Sequence, residues 1–146
     1  MRLSTKGRYG IRAVSELVAA YGGNPVSIKT IAQRQHISVS YLEQLLAQLR
    51  KSGILRSIRG RHGGYVLAAP PQQISLGDVL RALEGPVVLT ECVDSSTVRL
   101  RSCEHFDTCI TRAFWENLGQ RIGNLLNEIT LDHLIQAAPE GLDDLS

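Results

Sequence analysis

The sequence predicts a mainly α-helical chain, with a two-stranded ribbon after its third helix and a long helix near its C-terminus. Three observations carry that expectation. Apolar residues recur at helical spacing in three segments before residue 53, each bounded by a cap or a breaker. The period then switches to two short strand-like runs around a glycine- and arginine-rich tip. A long amphipathic stripe begins at Ile110.

The first helix is expected from Thr5 to Tyr21, with Tyr9, Ala13, Leu17 and Ala20 on one face, joined by Ile11, Val14 and Val18. Gly22-Gly23-Asn24-Pro25 ends it, because glycine accepts positive φ and proline cannot continue a helix. Ser27 caps a second helix over Ile28–Gln35, and His36-Ile37-Ser38 forms a tight turn. Ser40 and Glu43 fit a capping box for a third helix whose buried stripe is Leu42, Leu45, Leu46 and Leu49. Gly53 stops it. Strands are expected at Ile54–Ile58 and Tyr65–Ala69, and Pro70-Pro71 closes the unit. Ser75 and Asp78 cap a fourth helix ending at Gly85-Pro86. Thr90 to Cys109 has no period and reads as a loop. Phe114, Leu118, Ile122, Leu125, Leu126 and Ile129 mark the long helix, and Thr130 is expected to cap a short last one.

Two short helices, a tight turn, a recognition helix and a hairpin make a winged helix-turn-helix, a fold that can enter DNA grooves. Charge supports this. Residues 1–91 carry a net charge of +7 and residues 92–146 carry −5, so a polyanion-binding front is joined to a different back half. The buried leucines leave Ser38, Ser40, Tyr41, Gln44 and Gln48 on or near the outward side of the third helix, where polar side chains reach base edges. Arg59, Arg61 and His62 occupy the hairpin tip, and a narrow A·T-rich minor groove attracts inserted arginine. Arg2, Lys6, Arg8, Arg12 and Lys29 can neutralise phosphates. Each piece has a plainer reading, since such helices also serve protein contacts and such a hairpin can be only a turn. Their order and the charge bias favour double-stranded DNA.

Other classes fit less well. No apolar run approaches the roughly 18 residues needed to span a bilayer, and no signal-peptide centre follows Met1, so a cytoplasmic chain with no membrane partner is expected. No nucleophile elbow or paired carboxylates indicate an enzyme or a small-molecule substrate.

Several segments together carry a family likeness. They are the opening Met-Arg-Leu-Ser-Thr-Lys-Gly-Arg-Tyr-Gly, Ile-Ser-Val-Ser-Tyr-Leu-Glu-Gln-Leu at 37–45, Arg-Gly-Arg-His-Gly-Gly-Tyr at 59–65 and Ile-Ser-Leu-Gly-Asp-Val at 74–79. With them the chain resembles the Rrf2 family of bacterial regulators, to about residue 135. The resemblance implies a homodimer built on the long helix, a palindromic operator, repression of transcription, and often an iron–sulfur cluster on three cysteines. It places Ser38, Ser40, Tyr41, Glu43 and Gln44 in the major groove, and Arg59, Gly60 and Arg61 in the minor groove. The expected organisation is a DNA-binding domain over 1–85, a cysteine-bearing sensor loop over 86–109, dimerisation and terminal helices over 110–136, and a disordered acidic tail over 137–146.

Cys92, Cys103 and Cys109 suit soft-metal chemistry, because thiolates are the usual ligands of iron–sulfur clusters. The IscR-like pattern within the family spaces its cysteines by five and five residues, with a histidine three positions after the last. Here the gaps are ten and five, and position 112 is arginine. The NsrR-like pattern takes an acidic ligand near position 8, which here is Arg8. His105 is the nearest local candidate for a fourth ligand, with Glu104, Asp107 and Glu91 as others. A cluster, 2Fe–2S in preference to 4Fe–4S, is the leading expectation. A thiol, redox or nitric-oxide switch on the same fold comes next, with Arg99, Arg101 or Arg112 lowering a thiol pKa. A zinc site, which lacks its usual Cys-x-x-Cys knuckle, and incidental thiols follow. A non-DNA-binding interaction module using the long helix is the alternative outside regulation.

Overall fold

A computed structural model describes residues 2–94 and 103–137. Among these residues six helices appear, in the order α1 (Thr5–Ala19), α2 (Ile28–Gln35), α3 (Val39–Lys51), α4 (Leu76–Glu84), α5 (Ile110–Glu128) and α6 (Asp132–Gln136). Strands β1 (Leu55–Ile58) and β2 (Gly64–Leu67) lie between α3 and α4, and 3-10 turns cover Pro71–Gln73 and Glu91–Val93. The mainly helical winged architecture expected from the sequence is present. Arg99, Arg101 and the acidic tail from 138 onward fall outside the described residues.

The core explains the orientation of every element in the front half. Leu42, Leu45, Leu46 and Leu49 of α3 are fully buried against Val14 and Leu17 of α1, Ile31 of α2, Val79 of α4, and Leu55 and Leu67 of the ribbon. Burying a leucine side chain stabilises by about 1.5–3 kcal/mol, so four on one stripe prevent α3 from rotating about its axis. Its opposite face is thereby committed to solvent. The ribbon is antiparallel, with Leu55 opposite Leu67 and Ile58 opposite Gly64. Against the expected runs, β1 begins one residue later and β2 covers Gly64–Leu67, although Ala68 N–H still donates to the Ile54 carbonyl at 2.9 Å just beyond the ladder.

Two caps differ from expectation. The N-cap of α3 is Ser38, whose hydroxyl accepts from the Tyr41 N–H at 3.2 Å, while Ser40 lies within the first turn and forms no box with Glu43. The cause is Ile37, which is buried and whose N–H returns to the Ala32 carbonyl (3.1 Å). Burial of that side chain leaves one residue before the helix must begin. His36 supports this tight return with φ 52°, a left-handed value that histidine, like asparagine and aspartate, adopts more readily than most non-glycine residues. At the other end, Thr130 is not the N-cap of α6, a position held by Leu131. The Thr130 backbone instead bridges Ser75, and its hydroxyl bonds the Asp132 carboxylate.

The capping box of α4 forms as expected: Asp78 N–H donates to the Ser75 hydroxyl, and Ser75 N–H donates to the Asp78 carboxylate, both at 3.0 Å. Burial opposes the charge on Asp78, but the Ser75 backbone and hydroxyl and the Arg81 guanidinium outweigh it and hold the carboxyl below its ordinary value. A depressed carboxyl contributes stability that is complete at neutral pH and lost as pH falls through its folded-state pKa, below about pH 4. Ser75→Ala is expected to cost about 1 kcal/mol at pH 7 and to flatten the acid limb of Tm against pH, measured by thermal melts from pH 7 to 3.

Helix α5 packs along α4, and α6 returns to α1. Among the described residues no helix is long and apolar enough to cross a membrane.

Candidate functional site

The front edge of α3 and the ribbon tip present the polar and basic side chains singled out in the sequence. Ser38, Ser40, Glu43, Gln44 and Gln48 are exposed, as are Arg59, Gly60, Arg61 and His62. Tyr41 is different. Its ring is half-buried, edge-on to Tyr9 at 6.0 Å between centroids, so it joins α1 to α3 as well as bordering the surface. Val39, which lies off the leucine stripe and is not among the residues expected at the interface, is 39% exposed beside Ser40. Its position as the first residue of α3 was the available signal.

The ribbon's direction is set at its base. Val26 and Tyr65 exchange backbone hydrogen bonds at 3.0 and 2.8 Å, which joins the α1–α2 connection to β2. That contact requires glycine at position 64, since a Cβ there would lie 2.4 Å from the Val26 carbonyl oxygen. At the tip, Gly60 has φ 121° and accepts from Gly63 N–H at 3.0 Å, a turn that a side chain at Gly60 would strain.

The basic residues divide into two groups. Arg2 and Lys29 are exposed and Lys6 is half-exposed at the ends of α1 and α2. Arg12 is exposed but held by its own chain: its Nε donates to the Gln35 side chain at 3.0 Å, it also reaches the Gln35 carbonyl, and its guanidinium lies 5.4 Å from the Tyr9 ring centre. Arg34 pairs with Glu16 at 3.2 Å. These contacts tie α1 to the end of α2.

The described part of the cysteine segment follows α4, and its Glu91–Val93 turn packs against α5. Cys92 sits in the 3-10 turn after α4 with its thiol 3.1 Å from the Thr90 hydroxyl. Cys103 and His105 are exposed, and Cys109 is the residue from which α5 starts. Among the described residues no three His, Cys, Asp or Glu side chains are gathered as for a metal ion. The thiol of Cys109 is held below its ordinary pKa. The Thr111 hydroxyl at 3.0 Å is the main cause, followed by the backbone N–H groups of Arg112 and Thr111, with the Arg112 charge adding to them against burial. Arg112 stacks its guanidinium 3.8 Å from the Phe106 ring centre. Thr111→Val is therefore expected to slow alkylation of Cys109 near pH 7, by roughly three- to tenfold, as read by mass spectrometry of iodoacetamide-treated protein. An unchanged rate would remove Thr111 as the cause.

Comparison with known proteins agrees with this arrangement. The Rrf2 family, described as iron-dependent transcriptional regulators, matches residues 3–137. The HTH-type transcriptional regulator IscR of Pectobacterium atrosepticum is 41% identical over 135 residues, covering 92% of this chain and 79% of that protein. The structure of T. potens IscR is similar with a TM-score of 0.76 and 40% identity, over 97% of this chain and 91% of the other. CymR, the global cysteine regulator of B. subtilis, gives a TM-score of 0.75 and 37% identity, over 95% and 99%. These relatives are regulators and not enzymes. On this fold and these matches, the chain belongs to the Rrf2 family of transcriptional regulators.

Proposed function

We propose that the chain is a repressor that binds a palindromic DNA operator as a homodimer, with α3 in the major groove and the ribbon tip in the minor groove. The observation that carries this reading is the rigid joint between Val26 and Tyr65, which fixes an arginine-tipped ribbon relative to a polar helix edge. Ser38, Ser40, Tyr41, Glu43 and Gln44 read base edges. The exposed Val39 adds an apolar contact suited to a thymine methyl. Arg59 and Arg61 enter the minor groove at Gly60, and Arg2, Lys6 and Lys29 meet phosphates. Helix α5 supplies the twofold contact. Ile110, Phe114 and Leu125 are 89%, 58% and 57% exposed on it, an apolar surface that a second copy would cover while spacing two half-sites about 34 Å apart.

Cys92, Cys103 and Cys109 form the sensor. Their donor chemistry fits an iron–sulfur cluster, preferably 2Fe–2S: all three are free thiols, and the one at the start of α5 is already biased toward thiolate. A cluster bound there would supply a redox- and oxygen-labile link. The three cysteines that would hold it lie between the end of α4 and the start of α5. His105, exposed between two of the cysteines, is the candidate fourth donor. A second reading, a thiol switch without a cluster, is favoured by the lowered Cys109 pKa and by similarity to the cysteine regulator of B. subtilis.

Fluorescence anisotropy with a palindromic A·T-rich duplex tests the DNA reading. Binding is expected to weaken about 10³-fold or more between 50 and 200 mM salt, as for several phosphate contacts. No binding to any promoter fragment at low salt, in either redox state, would overturn it. The absorption spectrum of anaerobically purified protein, with its iron and sulfide content, separates the two sensor readings.

A further inference from the structure

We propose that Glu84 is a positioning residue for the basic N-terminal arm, so that the far end of α4 is part of the DNA-binding apparatus; this rests on the operator-binding reading above. Helix α1 has an N-cap but lacks half of the usual box. Ser4 accepts from the Gly7 N–H at 3.1 Å, yet the third helical position, where a glutamate or glutamine completes a capping box, is Gly7, and the first turn of α1 has no acidic residue. The missing carboxylate comes from elsewhere in the chain. Glu84 Oε1 accepts from the Gly7 N–H at 3.0 Å and from the Ser4 hydroxyl. It thereby places a negative charge at the positive end of the α1 dipole.

Glycine at two positions makes room for this contact. A Cβ on Gly7 would lie 2.4 Å from Glu84 Oε1, and one on Gly10 would lie 2.1 Å from Leu83 Cδ1. The two glycines of the opening motif therefore admit the last two residues of α4, one polar and one apolar, onto consecutive turns of α1. Ser4 lies between Arg2 and Lys6, so the carboxylate holds the stretch of chain that carries both cations. Glu84 is also the final residue of α4, and Gly85, at φ 84°, opens the run toward Cys92. The anchor of the arm thus sits where the helical half joins the cysteine segment.

The test compares full-length wild type with Glu84→Ala, Glu84→Gln and Gly7→Ala, reading amide hydrogen exchange and operator affinity against salt. Glu84→Ala should speed exchange of the peptide containing residues 4–10 about tenfold or more, with α3 peptides unchanged. It should also weaken binding roughly three- to tenfold at 0.1 M salt and lower the salt slope by about one to two, as phosphate contacts from Arg2 and Lys6 are lost. Glu84→Gln keeps a carbonyl acceptor and should retain most of the protection and slope. Gly7→Ala improves helix propensity but pushes the carboxylate off, so it should reproduce Glu84→Ala, and the double variant should add nothing. A merely structural role would lower Tm without moving the slope. Unchanged protection at residues 4–10 in Glu84→Ala, or lost protection with affinity and slope intact, would overturn the proposal. A wild-type chain that binds no duplex fails before any variant is made, and overturns the operator reading together with this one.

Discussion

Replacing Arg59 and Arg61 together by alanine is expected to weaken operator binding from roughly 30-fold up to about 10⁴-fold while moving Tm by no more than about 2 °C. The first figure follows from about 1–3 kcal/mol for each arginine that reads a groove. The second follows from the surroundings of the two side chains. Both are exposed at the ribbon tip, and among the described residues neither takes part in an ion pair. Surface substitutions free of such contacts usually change stability by less than about 0.5 kcal/mol. Arg12→Ala is the instructive contrast: its guanidinium bonds Gln35 and lies over Tyr9, so its loss should lower Tm more than it lowers affinity. Arg59→Lys with Arg61→Lys separates charge from shape. Lysine preserves the salt slope but is more strongly hydrated and so less favoured in a narrow minor groove, so affinity should fall with the slope intact. Anisotropy titrations at several salt concentrations read both quantities. Wild-type affinity in the double alanine variant would remove the ribbon from the interface.

The largest stability effect is expected at Leu131. Its side chain is fully buried, and it lies between α5 and α6, where it docks the C-terminal return into the core of the front half. The backbone around it is hydrogen-bonded to the entry of α4: Leu131 N–H donates to the Ile74 and Pro71 carbonyls at 2.9 and 3.1 Å, and Leu76 N–H donates to the Ile129 carbonyl at 2.7 Å. Leu131→Ala should cost about 2–5 kcal/mol, the usual range for truncating a buried leucine. That is a large share of the roughly 5–15 kcal/mol that stabilises a domain, and it corresponds to a fall in Tm of roughly 5–15 °C. Amide exchange should rise first in α6 and at Leu76. A Tm within about 2 °C of wild type would mean that the C-terminal return contributes nothing to the front half.

The parts of the fold that were legible in the sequence are those set within one or two turns of chain. The leucine stripe of α3, the Ser27 cap, the Ser75–Asp78 box and the glycine stops each depend on neighbours three or four residues away, so periodicity and cap chemistry suffice to find them. The recognition edge was legible by elimination, since four buried leucines leave only one face for solvent. The α3 cap was misplaced because Ser38 and Ser40 are equally good caps locally. Ser40 even has glutamate at the matching spacing, and only the burial of Ile37 decides between them.

The amino-acid sequence by itself determined the helical periods, the arginine-tipped ribbon, the charge division between the two halves and the family likeness, because each is a property of neighbouring residues or of composition. Tertiary structure alone decided that Tyr41 turns partly inward against Tyr9, that Arg12 is committed to Gln35, that Leu131 belongs to the core and that Glu84 caps a helix 77 residues before it. The physical reason is range. A hydrogen bond or an apolar contact acts over a few ångströms in space whatever the separation along the chain, so its partner is defined only once the helices have packed.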